Sequence, residues 1–119
     1  MIELSTSPTT ATVTVTGDLD LAERTQFPEV TARVNGLRRQ LVVVDLCATT
    51  FLDSTGAAFL ISLAETTRRR GGTTVLRGAS ERVLYVLEIC GVLSSFRLDT
   101  HHGCGASQPT SPWRRPQGA

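Results

Sequence analysis

The chain has 119 residues, enough for one domain with its own hydrophobic core and too few for two. Its composition, 40% hydrophobic and 19% charged, is that of a globular protein, and no apolar run approaches the roughly eighteen residues that would span a membrane. A net charge of +1, with all twelve cations arginine, supplies no clustered basic field for nucleic-acid phosphates, so direct nucleic-acid binding is not expected.

The N-terminal Met1-Ile2-Glu3-Leu4 lacks the basic start and apolar core of a secretory signal, so a cytoplasmic location is expected. Residues 2 to 6 predict a short strand ended by Pro8. Ala11 to Thr16 then alternates small or apolar residues with threonine, the period-two pattern of a half-buried strand. The two strands read as a hairpin, closed on the far side by the turn-type cluster Gly17-Asp18-Leu19-Asp20, in which Asp20 can cap a following helix. Phe27, Val30, Val34 and Leu37 form one helical stripe. Pro28 is tolerated only in a first turn, so an irregular opening turn and a main helix from about Pro28 are expected, with Gly36 and Arg38-Arg39 at its end.

Leu41 to Cys47 is a near-continuous apolar run, the signature of a strand covered on both faces and hence of a central strand. Ala48-Thr49-Thr50 reads as a descent into Phe51-Leu52-Asp53-Ser54-Thr55-Gly56, with Phe51 and Leu52 expected to anchor that loop in the core. Ala57, Leu60, Ile61 and Ala64 give the next helix a narrow apolar stripe, and Gly71-Gly72 stops it. Arg68-Arg69-Arg70 would point about 100° apart on a helix, so they read as a solvated helix end and not as an anion site. A short strand at Thr73 to Gly78, a helix capped by Ser80 with its stripe at Val83, Val86, Leu87 and Cys90, and a last strand at Phe96 to Leu98 complete the order β-β-α-β-α-β-α-β. From residue 101 to 119 periodicity is lost and Gly, Ser, Pro and Gln prevail, so the domain is placed at 1–100 and a disordered tail beyond it.

Cys47, Cys90 and Cys104 are widely spaced and form no CxxC, so neither a disulfide framework nor a zinc site is expected. Cys47 and Cys90, in apolar surroundings, read as small buried hydrophobes, and Cys104, in a Gly-rich stretch, as the candidate redox-sensitive thiol. His101, His102 and Cys104 lack a fourth ligand and are not read as a metal site. No cofactor is expected.

The chemistry-bearing residues collect at two loops, Gly17-Asp18-Leu19-Asp20 and Asp53-Ser54-Thr55-Gly56, which would share one sheet edge if their strands are parallel neighbours. A strand-to-helix corner at Ser54 leaves a hydroxyl beside the free N–H groups and positive dipole end of a helix. Such a hydroxyl can cap the helix, attack a substrate or carry a phosphate. Attack is disfavoured, since both histidines lie together in the tail and Leu52-Asp53 replace the start of a GxSxG elbow. A nucleotide-binding P-loop is excluded by the absence of any lysine. Helix capping, with Gly56 permitting close packing, and modification of Ser54 by another protein both remain open.

Gly17-Asp18-Leu19-Asp20, Val44-Asp45-Leu46, Phe51 to Gly56 and Val83 to Val92 resemble the STAS-domain family of bacterial anti-sigma factor antagonists over about residues 2 to 100. The resemblance implies a mixed four- to five-stranded sheet with helices packed mainly on one side. It also implies a non-enzymatic regulator of transcription. The unphosphorylated domain would bind an anti-sigma factor that is itself a serine kinase, and so free a sigma factor. That kinase, with ATP and magnesium, would phosphorylate Ser54, and a PP2C-type phosphatase would restore the active form. By the same likeness Asp20 matches the acidic residue opposite the phosphoacceptor, and Asp18, Asp53, Thr55 and Gly56 join Ser54 in the partner-binding loops. The alternative is a STAS module that serves a transport or signalling complex without phosphorylation.

Overall fold

The threonine-rich alternation near the N-terminus builds a hairpin: β1 (Ile2–Thr6) and β2 (Thr10–Leu19) pair antiparallel, from Ile2 opposite Val15 to Thr6 opposite Ala11. A computed structural model describes residues 1–99 and 103–104 of the chain. The remaining strands are β3 (Leu41–Leu52), β4 (Thr73–Arg77) and β5 (Arg97–Asp99), and the sheet order is β1-β2-β3-β4-β5. All pairs after the hairpin are parallel, so β2, β3 and β4 end on one edge. The expected central strand is thus the middle of a five-stranded mixed sheet.

Three helices, α1 (Phe27–Leu37), α2 (Ser54–Arg69) and α3 (Glu81–Ile89), supply the connections that parallel pairing requires. Side chains alternate across a strand, and Ala11, Val13, Val15, Val42, Val44, Leu46 and Leu76 all point to one face. They share a single buried cluster with Val30 and Val34 of α1, Leu60 and Leu63 of α2, and Val83 and Leu87 of α3. The helices therefore cover one face. Phe27 and Phe59 stack with centroids 4.3 Å apart, locking α1 against α2. On the other face Asp45 and Arg77 sit opposite each other on β3 and β4 and form an ion pair at 3.1 Å.

Pro28 acts as expected. A 3-10 turn (Leu21–Gln26) precedes α1, and Pro28 stands in the first turn of the helix, where its missing N–H breaks no bond. α1 ends where expected, at Leu37, with Gly36 still helical and Arg38 taking the left-handed cap with φ of 52°. At the end of α2, Arg68 and Arg69 are exposed as read, but Arg70 is half-buried and donates from Nη2 to the Arg39 carbonyl at 3.2 Å.

Two segments read as loops are strand. β2 continues through Gly17-Asp18-Leu19 and β3 through Ala48-Thr49-Thr50, pairing Gly17 with Thr49, Asp18 with Phe51 and Leu19 with Leu52. Gly17 has φ of +80°, and register shifts fall on both sides of it. A glycine bulge kinks a strand without ending it, so turn-type residues here lie inside a ladder. As a result β3 overshoots β4, whose last partner on β3 is Asp45.

The cysteine expectations are overturned. Cys47 and Cys104 form a disulfide across 57 residues, with Cα atoms 5.4 Å apart, so neither is a free thiol. Cys90 is free and exposed. It has stripe spacing from Val83 and Leu87, but α3 ends at Ile89 and Cys90 is its C-cap, so the stripe no longer turns it inward. His101, His102 and the tail from 105 to 119 lie outside the described residues. Among the described residues no cluster of His, Cys, Asp and Glu could hold a metal, and no helix is long and apolar enough to cross a membrane.

Candidate functional site

The parallel pairing of β2 and β3 puts both predicted loops on one edge, because Leu19 and Leu52 are register partners and each strand ends there. The chain then turns directly from β3 into α2 through a single residue, Asp53. Asp53 is extended, with φ of −109°, and its Oδ1 accepts the Gly56 N–H at 2.9 Å. That is the geometry of an N-cap, which satisfies one of the orphan donors of the first turn.

Asp53 also crosses between the loops. Its Oδ2 accepts the Leu21 N–H at 3.2 Å, and its own N–H approaches the Leu19 carbonyl at 3.4 Å. Asp20 caps the 3-10 turn, accepting the Ala22 N–H at 3.0 Å. Asp18 is exposed and accepts the Thr50 hydroxyl at 2.9 Å. The three acids thus have separate structural partners on one edge.

With the cap supplied by Asp53, Ser54 is the first helical residue and is exposed. No hydrogen bond of its hydroxyl is found among the described residues. The capping role left open for Ser54 therefore falls to its neighbour. Thr55 is half-buried, and Gly56 is buried. A Cβ on Gly56 would collide with the Leu19 carbonyl oxygen and come within 2.7 Å of Leu52 Cδ1, so glycine is what allows the end of β2 to approach α2. Close packing at Gly56 is as expected.

Phe51 does not anchor the loop. Leu52 is 4% exposed and belongs to the core, whereas Phe51 is 46% exposed. Since both are in β3, they point to opposite faces, and strand alternation in Phe51-Leu52 was the available signal. Leu21, directly hydrogen-bonded to Asp53, is 57% exposed. Two apolar side chains thus border the serine corner. From Thr55, a shallow groove of about 610 Å³ runs between the helices, past Ala58 and Ser62 of α2 and Thr31 and Asn35 of α1.

The family match rests on the whole of this framework. A family model described as the STAS domain matches residues 1–103, and the chain belongs to the STAS domain family. No sequence match to a curated protein reaches significance. Among solved structures, an anti-sigma factor antagonist from Mycobacterium paratuberculosis superposes with a TM-score of 0.72 at 19% identity, covering 82% of this chain and 83% of the other. The anti-sigma factor antagonist SpoIIAA in its unphosphorylated form gives 0.69 at 17% identity, covering 85% and 90%. The Bacillus cell fate determinant SpoIIAA in its phosphorylated form gives 0.65 at 16% identity, covering 85% and 93%. At such identities the likeness is one of fold.

Proposed function

We propose that this chain is an anti-sigma factor antagonist whose unphosphorylated form binds an anti-sigma factor, itself a serine kinase, and is switched off by phosphorylation of Ser54. The observation that carries the reading is the division of labour at the corner. Asp53 caps α2, and Ser54 beside it is exposed with an uncommitted hydroxyl. A hydroxyl so placed is open to a transferase, and its loss from solvent or conversion to an ester breaks no bond of the fold. Solved relatives include an antagonist in both unphosphorylated and phosphorylated forms, which supports the same reading.

The first turn of α2 tolerates the product. A phosphoserine carries nearly two negative charges, and the free N–H groups and dipole at a helix N-terminus favour them. The cost falls on whatever docks over the corner. At about 4 Å and an effective dielectric near 20, one charge pair is worth roughly 4 kcal/mol before screening. Half of that still changes affinity by more than tenfold, roughly. Asp18, Asp20, Asp53 and Thr55 form the docking rim with exposed Leu21 and Phe51, buried Gly56 shapes the loop from beneath, and a PP2C-type phosphatase resets the switch. The role is regulatory and not catalytic, and no cofactor is needed on this chain. The regulatory domain occupies about residues 1–100.

Incubation with the cognate kinase and ATP, followed by peptide mass spectrometry, tests the site: phosphate on Ser54 and none on a Ser54→Ala variant is expected. Labelling of Ser54→Ala to the wild-type level would exclude the assignment. Calorimetric binding of Ser54→Glu to the anti-sigma factor should be at least about tenfold weaker than wild type, and equal affinity would remove the charge mechanism.

A further inference from the structure

The overshoot of β3 past β4 leaves Cys47 two residues beyond the last β3–β4 pair, Asp45 with Arg77. There β4 ends and the chain turns at Gly78, which has φ of +75°. Cys104, five residues after the end of β5, is bonded to Cys47 at the same spot. A Cβ on Gly78 would collide with both sulfurs. Cys104 is thus held beside the end of β4 and fastened to β3, over a glycine that leaves room for the sulfurs. Cys104 lies one residue beyond the stretch matched by the family.

The surroundings of the bond are not those of a permanent staple. Among the described residues, twenty-one hydrophobic ones are buried in the core without the cysteines, so the fold is not the kind of small, core-poor scaffold that depends on disulfides. Cys90 is a free, exposed thiol in the same chain, an arrangement at odds with a disulfide framework built for an oxidising compartment. Cys47 and Cys104 are both only half-buried, and attack by an external thiolate requires access to a sulfur.

We propose that Cys47 and Cys104 form a reversible thiol–disulfide latch, which in its oxidised form ties Cys104 to the overshooting half of β3 and in its reduced form frees it. Closing the latch forms one S–S bond and removes two protons and two electrons from the two thiols. The co-reactant is a low-molecular-weight disulfide such as oxidised glutathione. Its S–S bond breaks through a mixed disulfide, and it leaves as two thiols carrying those electrons and protons. Opening is the reverse, driven by excess reduced glutathione. The latch stands independently of the role given to Ser54.

The test uses the full chain with Cys90→Ser, a change at an exposed position. The protein is equilibrated from both the reduced and the oxidised side in glutathione buffers spanning mostly reduced to mostly oxidised, quenched with N-ethylmaleimide and weighed intact. A reversible latch gives two labels in reducing buffer and none in oxidising buffer, with the same midpoint from either side and a Cys47–Cys104 peptide on mapping. Two labels at every ratio, or none at every ratio, would each overturn it, the first by showing no bond and the second a permanent one. Amide hydrogen exchange of the same samples should be at least about tenfold slower in residues 46–50 and 78–80 of the oxidised form. Identical exchange in the two forms would show that the bond ties nothing down.

Discussion

The backbone N–H of Leu21 donates to Asp53 Oδ2 at 3.2 Å, joining two loops 32 residues apart, while Oδ1 of the same carboxylate caps α2 through Gly56. One side chain therefore fixes both the start of the helix and the position of the neighbouring loop. This double engagement is what leaves Ser54 with no structural task.

Removing that carboxylate should cost more than an ordinary cap. Loss of an N-cap side chain typically costs about 1 kcal/mol, and a second hydrogen bond to a charged group adds about 1 to 2 kcal/mol. Asp53→Ala is expected to destabilise the protein by roughly 2 to 3 kcal/mol in urea unfolding. Asp53→Asn, which keeps an acceptor for Gly56 but turns an NH2 donor toward Leu21, should lose only the second bond, about 1 to 2 kcal/mol. Equal losses in the two variants would show that the cap to Gly56 contributes nothing, and no loss in Asp53→Asn would show the same of the bond to Leu21.

Gly56→Ala should run against helix propensity. Inside a helix this change ordinarily stabilises by about 0.5 to 1 kcal/mol. Here the added methyl would meet the Leu19 carbonyl oxygen, which is backbone and cannot move aside without shifting the end of β2. The expected result is a loss of about 2 kcal/mol or more, read from the urea midpoint, with faster hydrogen exchange in residues 17–21. A stabilised variant would mean that the two loops are not in close contact.

Most of the fold was legible because hydrophobic period and punctuation agree along this chain. The apolar run from Leu41 and the stripes of α1, α2 and α3 each name one face, and Pro28 and Ser80 sit at helix starts where their chemistry requires. What was not legible depended on the partner strand. Gly17-Asp18 has turn composition, but it lies opposite Thr49 and Phe51 in a bulged ladder, and only that pairing makes it strand. The serine corner was visible from its residues, whereas the assignment of the cap to Asp53 instead of Ser54 required the backbone geometry. The Cys47–Cys104 bond was invisible for a simpler reason. Its partners are 57 residues apart, and spacing in sequence says nothing about which thiols a sheet brings together.

On the open face of the sheet, Asp45 should matter more than Arg77. Their ion pair is partly exposed, with side chains 13% and 31% accessible, so screening limits it to about 1 kcal/mol. Asp45 Oδ1 additionally accepts the Cys47 N–H at 2.9 Å, holding β3 where it leaves β4. Arg77→Ala is expected to cost roughly 0.5 to 1 kcal/mol and Asp45→Ala about twice as much, with a difference that persists at high salt. If both losses vanish together as salt is raised, the backbone contact is not contributing.

Stability measurements should separate the fold from the proposed switch at Ser54. An exposed side chain without a hydrogen bond should be replaceable at little cost, so Ser54→Ala is expected to change stability by no more than about 0.5 kcal/mol. Ser54→Asp places a negative charge on the first residue of α2, at the positive end of the dipole, and should stabilise by about 0.3 to 1 kcal/mol, an increment that shrinks as salt is added. Thermal melts at low and high ionic strength check both signs. A variant that is as stable as wild type, or more so, yet binds its partner more weakly has lost affinity at the docking surface and not through unfolding. Destabilisation of Ser54→Asp would instead show that the first turn of α2 does not accept negative charge, and the proposed tolerance of a phosphate would fail with it.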